Sequence, residues 1–183
     1  GDADEFRDLL TEYGPRLVVV PGGATRRRSV AAALTTLPAS VEVVLVHDAA
    51  RCLAPPALFT AVAKAVTDGA DAVVPAVPVA DTIKQVAGGV VVATLDRSRL
   101  RAAQTPQGFH FPLLVSAYEA AFRDRATVTD EAAAVERCGT PVRAVEGSAL
   151  AAEFTPGKLE RAADALVERP LHRSNPGPVN DTR

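Results

Sequence analysis

Four short apolar runs, each apolar on successive residues rather than alternate ones, punctuate the chain at Leu17–Val20, Val41–Val46, Ala72–Val77 and Pro141–Val145. Side chains alternate between the faces of a strand, so a run apolar on both faces predicts a strand covered on both sides, as in a parallel sheet. Between the runs, apolar residues recur at helical spacing over Ser29–Leu37, Pro56–Asp68, Phe111–Arg123, Asp130–Cys138 and Gly157–Val167. Strand and helix alternate, which predicts an α/β domain whose ligand binds at the carboxyl ends of a mostly parallel sheet. Two candidate loops sit at such ends, Pro21-Gly22-Gly23 and His47-Asp48-Ala49-Ala50-Arg51.

One segment breaks the alternation. Thr82–Val86 and Val90–Thr94 flank Gly88-Gly89, a pair suited to the positive φ angles of a tight hairpin turn. The expectation is a β-hairpin arm over residues 81–94 that projects from the domain and pairs with a second copy of the chain. After Val167 the tail is proline-rich and poor in apolar residues, so residues 168–183 are expected to be disordered and residues 1–167 to form one domain.

Composition narrows the function. The 183 residues carry 20 Lys+Arg against 22 Asp+Glu, a net charge of -2, without the positive surplus that non-specific nucleic-acid binding needs. No apolar run has the ~20 residues of a membrane span, and GDADEF is unlike a signal peptide. Cys52 and Cys138 have no metal-ligand spacing, are expected to be small buried hydrophobes, and suit a reducing cytoplasm.

The candidate chemistry lies in the loops. Gly22 and Gly23 allow close backbone approach, Ser29 is a candidate helix cap, and with Arg26, Arg27 and Arg28 they suit an anion at a helix amino end or, equally, a turn with a solvated face. Asp48 and Arg51, three residues apart, suit a divalent cation with a bidentately held phosphate, or a plain ion pair. His47 reads as a satisfied interior histidine. Gln104-Thr105-Pro106-Gln107 is a proline-pinned polar turn, and Thr129-Asp130-Glu131 a helix amino end whose acids complement the dipole.

Seven ordered stretches resemble the 2-C-methyl-D-erythritol 4-phosphate cytidylyltransferases. They are Val18–Arg26 with Ser29-Val30, Val46–Arg51, Pro78–Lys84, Leu95–Leu100, Gln104–Phe109, Thr129–Ala132 and Val145–Ser148. The resemblance implies a Rossmann-like nucleotidyltransferase domain that transfers CMP from CTP to a sugar-alcohol phosphate, using Mg²⁺ or another divalent cation. It implies that Gly22, Gly23, Ala24, Arg26 and Ser29 bind the nucleotide and that Asp48 lies by the metal. Arg51, Thr105 and, from the arm of a partner copy, Thr82 and Arg97 would meet the acceptor, with Arg97 and Asp48 in the chemistry. A ribitol- or other polyol-phosphate cytidylyltransferase, or a non-catalytic homologue, would share much of this pattern.

The chain departs from that pattern in three places. The family's opening strand and Gly-rich loop, with its Arg and Lys on the triphosphate, has no counterpart ahead of Leu17, so these residues alone are expected to turn over poorly. Glu153 stands where the family carries a substrate-positioning lysine, and Cys52 where it commonly has proline.

Overall fold

The computed structural model describes residues 3–154; the helix expected at Gly157–Val167 and the tail expected from 168 lie outside them. Residues up to Ala152 form one compact unit, and Glu153 begins a second. The helices are α1 (Ala3–Leu9), α2 (Arg26–Leu34), α3 (Pro56–Thr67), α4 (Phe111–Arg123) and α5 (Glu131–Arg137). The strands are β1 (Val43–Val46), β2 (Ala72–Pro78), β3 (Lys84–Ala87), β4 (Val90–Thr94), β5 (Arg101–Ala103), β6 (Gln107–His110) and β7 (Arg143–Glu146).

Five strands make one sheet, with β1, β6 and β2 side by side, β5 further along β2, and β7 on the opposite edge of β2. The three strands anticipated from apolar runs, β1, β2 and β7, all point the same way, as an α/β fold requires. The pairing nevertheless corrects the mostly parallel expectation: β1·β6, β2·β6 and β2·β5 are antiparallel, and β2·β7 alone is parallel. The reason is β6, a short Gln-Gly-Phe-His segment without a strand-like apolar run, which inserts against both β1 and β2.

The sheet separates two apolar layers. Val73 faces Val62 and Val66 of α3, whereas Ala72 and Phe109 face Leu114, Ala117 and Tyr118 of α4 and Ala134 and Val135 of α5. Adjacent residues of one strand thus serve opposite layers. Gly108 is required by packing, since a Cβ there would meet Val62 Cγ1 at 2.6 Å. Burial centres on β2, whose residues 72, 73, 75 and 76 are buried, while β1 and β7 are only partly covered.

Leu17–Val20 is not a strand: it follows a short 3-10 segment as irregular chain, and Val18 is 63% exposed. A strand needs a neighbour for its backbone groups, and no strand among the described residues pairs with it. The arm forms as anticipated. β3 and β4 pair with one another, separately from the main sheet, across Gly88 and Gly89 at φ 55° and 80°. Both cysteines are exposed, correcting their expected burial; Cys52 closes a surface 3-10 turn and Cys138 ends α5, so neither reaches an apolar layer.

Candidate active site

The loop after β1, the carboxyl end of β5 and the amino ends of α2, β6 and α5 meet around a pocket of about 190 Å³. Arg26, Asp48, Arg51, Thr105, Gln107 and Asp130 are among its lining residues. Asp48 reaches it because β1 ends at Val46 and the chain turns into a 3-10 segment, Ala49–Arg51, that swings Arg51 back toward the carboxylate. Asp48 Oδ1 accepts from Arg26 Nη2 at 2.8 Å, and Oδ2 lies 3.8 Å from Arg51 Nε. Arg51 Nη1 donates to the Ala151 carbonyl at 2.8 Å. One half-exposed carboxylate therefore lies between two guanidinium groups.

The floor is built by the polar turn between β5 and β6, whose four residues are buried. Thr105 Oγ1 accepts from the Asp48 backbone N–H at 3.0 Å and lies 3.0 Å from His47 Nδ1. His47 packs its ring on Phe59, centroids 4.7 Å apart; it is satisfied as expected but only partly buried. Gln104 spans to the loop after β7: its amide donates to the Ser148 carbonyl at 2.8 Å and accepts from the Ser148 N–H at 2.9 Å. Gln107 donates to Asp130 Oδ2 at 2.8 Å and accepts from the Ala132 N–H at 3.1 Å. Two glutamines thus tie β7 and α5 to one turn, a role the turn's composition did not announce. A side chain at Gly147 would displace this clamp, because its Cβ would lie 2.4 Å from Gln104 Oε1.

The Gly22-Gly23 loop differs in detail from its reading. Thr25, not Ser29, caps α2, its hydroxyl accepting from the Arg28 N–H. Ser29 lies inside the helix, where its hydroxyl accepts from the Gly23 N–H at 2.9 Å and faces the Thr25 carbonyl at 3.3 Å. Gly23 is required by its own helix, since a Cβ would stand 2.3 Å from Arg28 Cβ. Gly22 and Ala24 are exposed beside it. Arg27 is not a solvated side chain: it donates to the Ala126 carbonyl at 2.6 Å and stacks 4.3 Å from the Phe122 ring centre. Between α2 and β1 lies a larger groove of about 590 Å³, lined by Val18, Ser29, Val30, Val46 and His47 among others.

Arg26 is the residue whose importance sequence reading understated. Both its Nη atoms meet the Glu131 carboxylate, at 2.6 and 3.0 Å, while Nη2 also serves Asp48. The hydrogen bond to Glu131 outweighs partial burial and holds the guanidinium charged far above any working pH. Tyr118 donates its hydroxyl to Glu131 at 2.8 Å, and burial beside that carboxylate drives the phenol pKa upward. Asp130 caps α5 through the Ala133 N–H, as its helix-start reading anticipated.

Thr82 and Arg97 are not brought to this pocket. Arg97 donates to the Ala80 carbonyl and, with Asp96, Ser98 and Arg101, lines a separate cleft of about 540 Å³ at the base of the arm. Thr82 is exposed at the start of the arm. Glu153 is exposed and belongs to the second unit. No group of three or more His, Cys, Asp or Glu among the described residues is arranged to hold a metal ion. No described helix is long and apolar enough to cross a membrane.

The model of the family IspD, 2-C-methyl-D-erythritol 4-phosphate cytidylyltransferase, matches residues 1–169. A bifunctional IspD/IspF enzyme of Nitratidesulfovibrio vulgaris is 53% identical over 137 residues, covering 75% of this chain and 35% of that protein. The 2-C-methyl-D-erythritol 4-phosphate cytidylyltransferase of Streptomyces avermitilis is 48% identical over 163 residues, covering 85% of this chain and 64% of its own length. The chain therefore spans about a third of the first relative and under two thirds of the second. Among solved structures, the Thermus thermophilus cytidylyltransferase superposes with a TM-score of 0.72 at 38% identity, covering 84% of this chain and 75% of that one. The Anaerococcus prevotii 4-diphosphocytidyl-2C-methyl-D-erythritol synthase superposes at 0.83 and 29% identity, covering 91% and 77%. Since the family match takes in every element that builds the Asp48 pocket, the chain belongs to the 2-C-methyl-D-erythritol 4-phosphate cytidylyltransferase family.

Proposed function

We propose that this chain contributes the acceptor side and part of the nucleotide side of a site that transfers CMP from CTP to 2-C-methyl-D-erythritol 4-phosphate, releasing pyrophosphate. The observation that carries the reading is Asp48 held between Arg26 and Arg51 in a small polar pocket. Such transfer needs reactants held in line and developing charge on phosphate oxygens offset by fixed cations. Arg26 and Arg51 supply planar, permanently charged donors that suit phosphate oxygens. The floor clamps of Gln104 and Gln107 keep these groups in place without reorganisation.

A divalent cation fits this donor set only in part. Asp48 offers one carboxylate, its Oδ2 beyond hydrogen-bonding distance of Arg51, and Mg²⁺ commonly takes one or two carboxylates with the remainder from water and substrate phosphates. Asp48 is the residue that would hold Mg²⁺ or a similar ion, whose charge would neutralise the triphosphate. Gly22, Gly23, Ala24 and Ser29 would border the cytidine along the groove beside β1.

The same reading includes a homodimer through the arm. Val86, Val90, Val91 and Val92 are 55–65% exposed, apolar surface spread over both faces of the arm that water disfavours. Thr82 and Arg97 lie on and beside that arm, away from their own pocket, which suits delivery to the acceptor in a partner copy. Localisation in the cytoplasm belongs to this reading as well, resting on the substrates.

The test is pyrophosphate release with CTP, comparing 2-C-methyl-D-erythritol 4-phosphate with ribitol 5-phosphate. The 183 residues alone are expected near background, and a polypeptide carrying the family's Gly-rich loop ahead of them to prefer the methylerythritol phosphate. Preference for ribitol phosphate by that longer polypeptide overturns the substrate; robust turnover by the 183 residues overturns the need for the loop.

A further inference from the structure

Glu131 belongs to neither phosphate nor metal in the reading above, yet it is 0% exposed. Burying an ionised carboxylate costs several kcal/mol unless its oxygens are paired and hydrogen-bonded. Here they are. Oε1 accepts from Arg26 Nη1 and from the Tyr118 hydroxyl, and Oε2 accepts from Arg26 Nη2. The three groups come from α5, α2 and α4, and the position of Glu131 is fixed further by Gln107, which holds the residues on both sides of it, Asp130 and Ala132.

The ion pair does not end in the interior. Arg26 Nη2, while bonded to Glu131, also donates to Asp48 Oδ1 at 2.8 Å. A long arginine side chain loses much rotamer freedom when fixed, and a buried anchor removes that cost from the pocket itself. Glu131 also carries the charge that balances Arg26. Without it, one whole positive charge would fall on Asp48 and weaken it as a cation ligand.

We propose that Glu131, steadied by Tyr118, is a positioning residue: it anchors Arg26 so that Asp48 is held in one orientation and keeps its negative charge for the cation-bound triphosphate. This rests on the cytidylyltransferase reading, and the experiment separates the two. Glu131→Gln preserves shape and one acceptor oxygen while removing the charge. In the full-length gene product, this variant lowers kcat at least tenfold and raises the Mg²⁺ concentration for half-maximal rate severalfold. Combined with Asp48→Asn, it causes less than a threefold further loss, because both changes act through Arg26. Unchanged specific activity of folded Glu131→Gln, or fully multiplicative losses, overturns the proposal.

Should the unaltered full-length protein release no pyrophosphate, the cytidylyltransferase reading has failed, and the decision passes to urea unfolding of the 183-residue chain. There, coupling between Glu131→Gln and Asp48→Asn of fivefold or more in the folding equilibrium supports the linkage. Additivity within twofold refutes it. Should Glu131→Gln not fold, Tyr118→Phe, which removes one hydrogen bond to Glu131, takes its place in both measurements. A twofold or larger loss of turnover, or of the folding equilibrium coupled to Asp48→Asn, supports the proposal, and no change overturns it.

Discussion

The pocket floor and the arm are opposite solutions to placing function on a sheet. In the floor, Gln104, Thr105 and Gln107 are buried and their polar atoms are met by Ser148, His47, Asp48, Asp130 and Ala132. The arm buries none of its strand residues and displays four valines. Polar groups satisfied inside the chain make a rigid surface for catalysis, whereas apolar groups left outside call for a partner. The two glutamines and the valines are thus both structural, one set within a chain and the other, in our reading, between chains.

The largest test of this contrast removes charge from the rigid side. Asp48→Asn in the full-length polypeptide is expected to lower kcat for pyrophosphate release by ~10²–10³ while the far-ultraviolet spectrum and unfolding midpoint stay close to those of the parent. A loss of less than threefold would detach Asp48 from the chemistry.

Next comes the packing behind the floor. Gly147→Ala forces a Cβ to within 2.4 Å of Gln104 Oε1 and 3.0 Å of the Ala76 backbone, so urea unfolding should show about 1–3 kcal/mol of lost stability. Gly88→Ala, where no heavy atom lies within 4 Å, is strained only through its φ of 55° and should cost less. Equal losses at both positions would mean that the clamp adds nothing.

The arm should behave in the reverse manner. Replacing Val86 and Val91 with threonine is expected to change monomer unfolding by no more than about 0.5 kcal/mol, as for exposed positions generally, yet to shift light scattering from dimer to monomer. A monomer before substitution, or a dimer untouched by it, breaks the comparison.

The smallest expected effect is at Glu153. Replacing it with the family's lysine, in the full-length polypeptide, should lower KM for the sugar phosphate a few-fold, leave KM for CTP nearly unchanged, and lose its advantage as salt rises. Unit charges ~4 Å apart interact by roughly 1 kcal/mol in water, enough for a measurable change. Equal changes for both substrates would show that Glu153 does not take the lysine's place.

Periodicity alone determined much of this protein. α4 was legible to the residue, α3 to within one, and the arm to within a few, because each depends on local pattern: helical spacing, a helix-starting proline, a Gly-Gly turn. Asp48 and Arg51 of the candidate site were also legible as types, since they follow the end of β1, where ligands gather. Tertiary structure decided how they are used. Nothing local in Gln-Gly-Phe-His announces a strand; β6 exists because β1 and β2 offer backbone partners on both sides, and that insertion makes the sheet mixed. Leu17–Val20 has the apolar pattern of a strand but no partner among the described residues, so pattern did not suffice. The bridge from Glu131 through Arg26 to Asp48 joins residues 105 and 22 positions apart, and a buried charge chooses its counter-ion by proximity in the fold, which spacing along the chain does not encode.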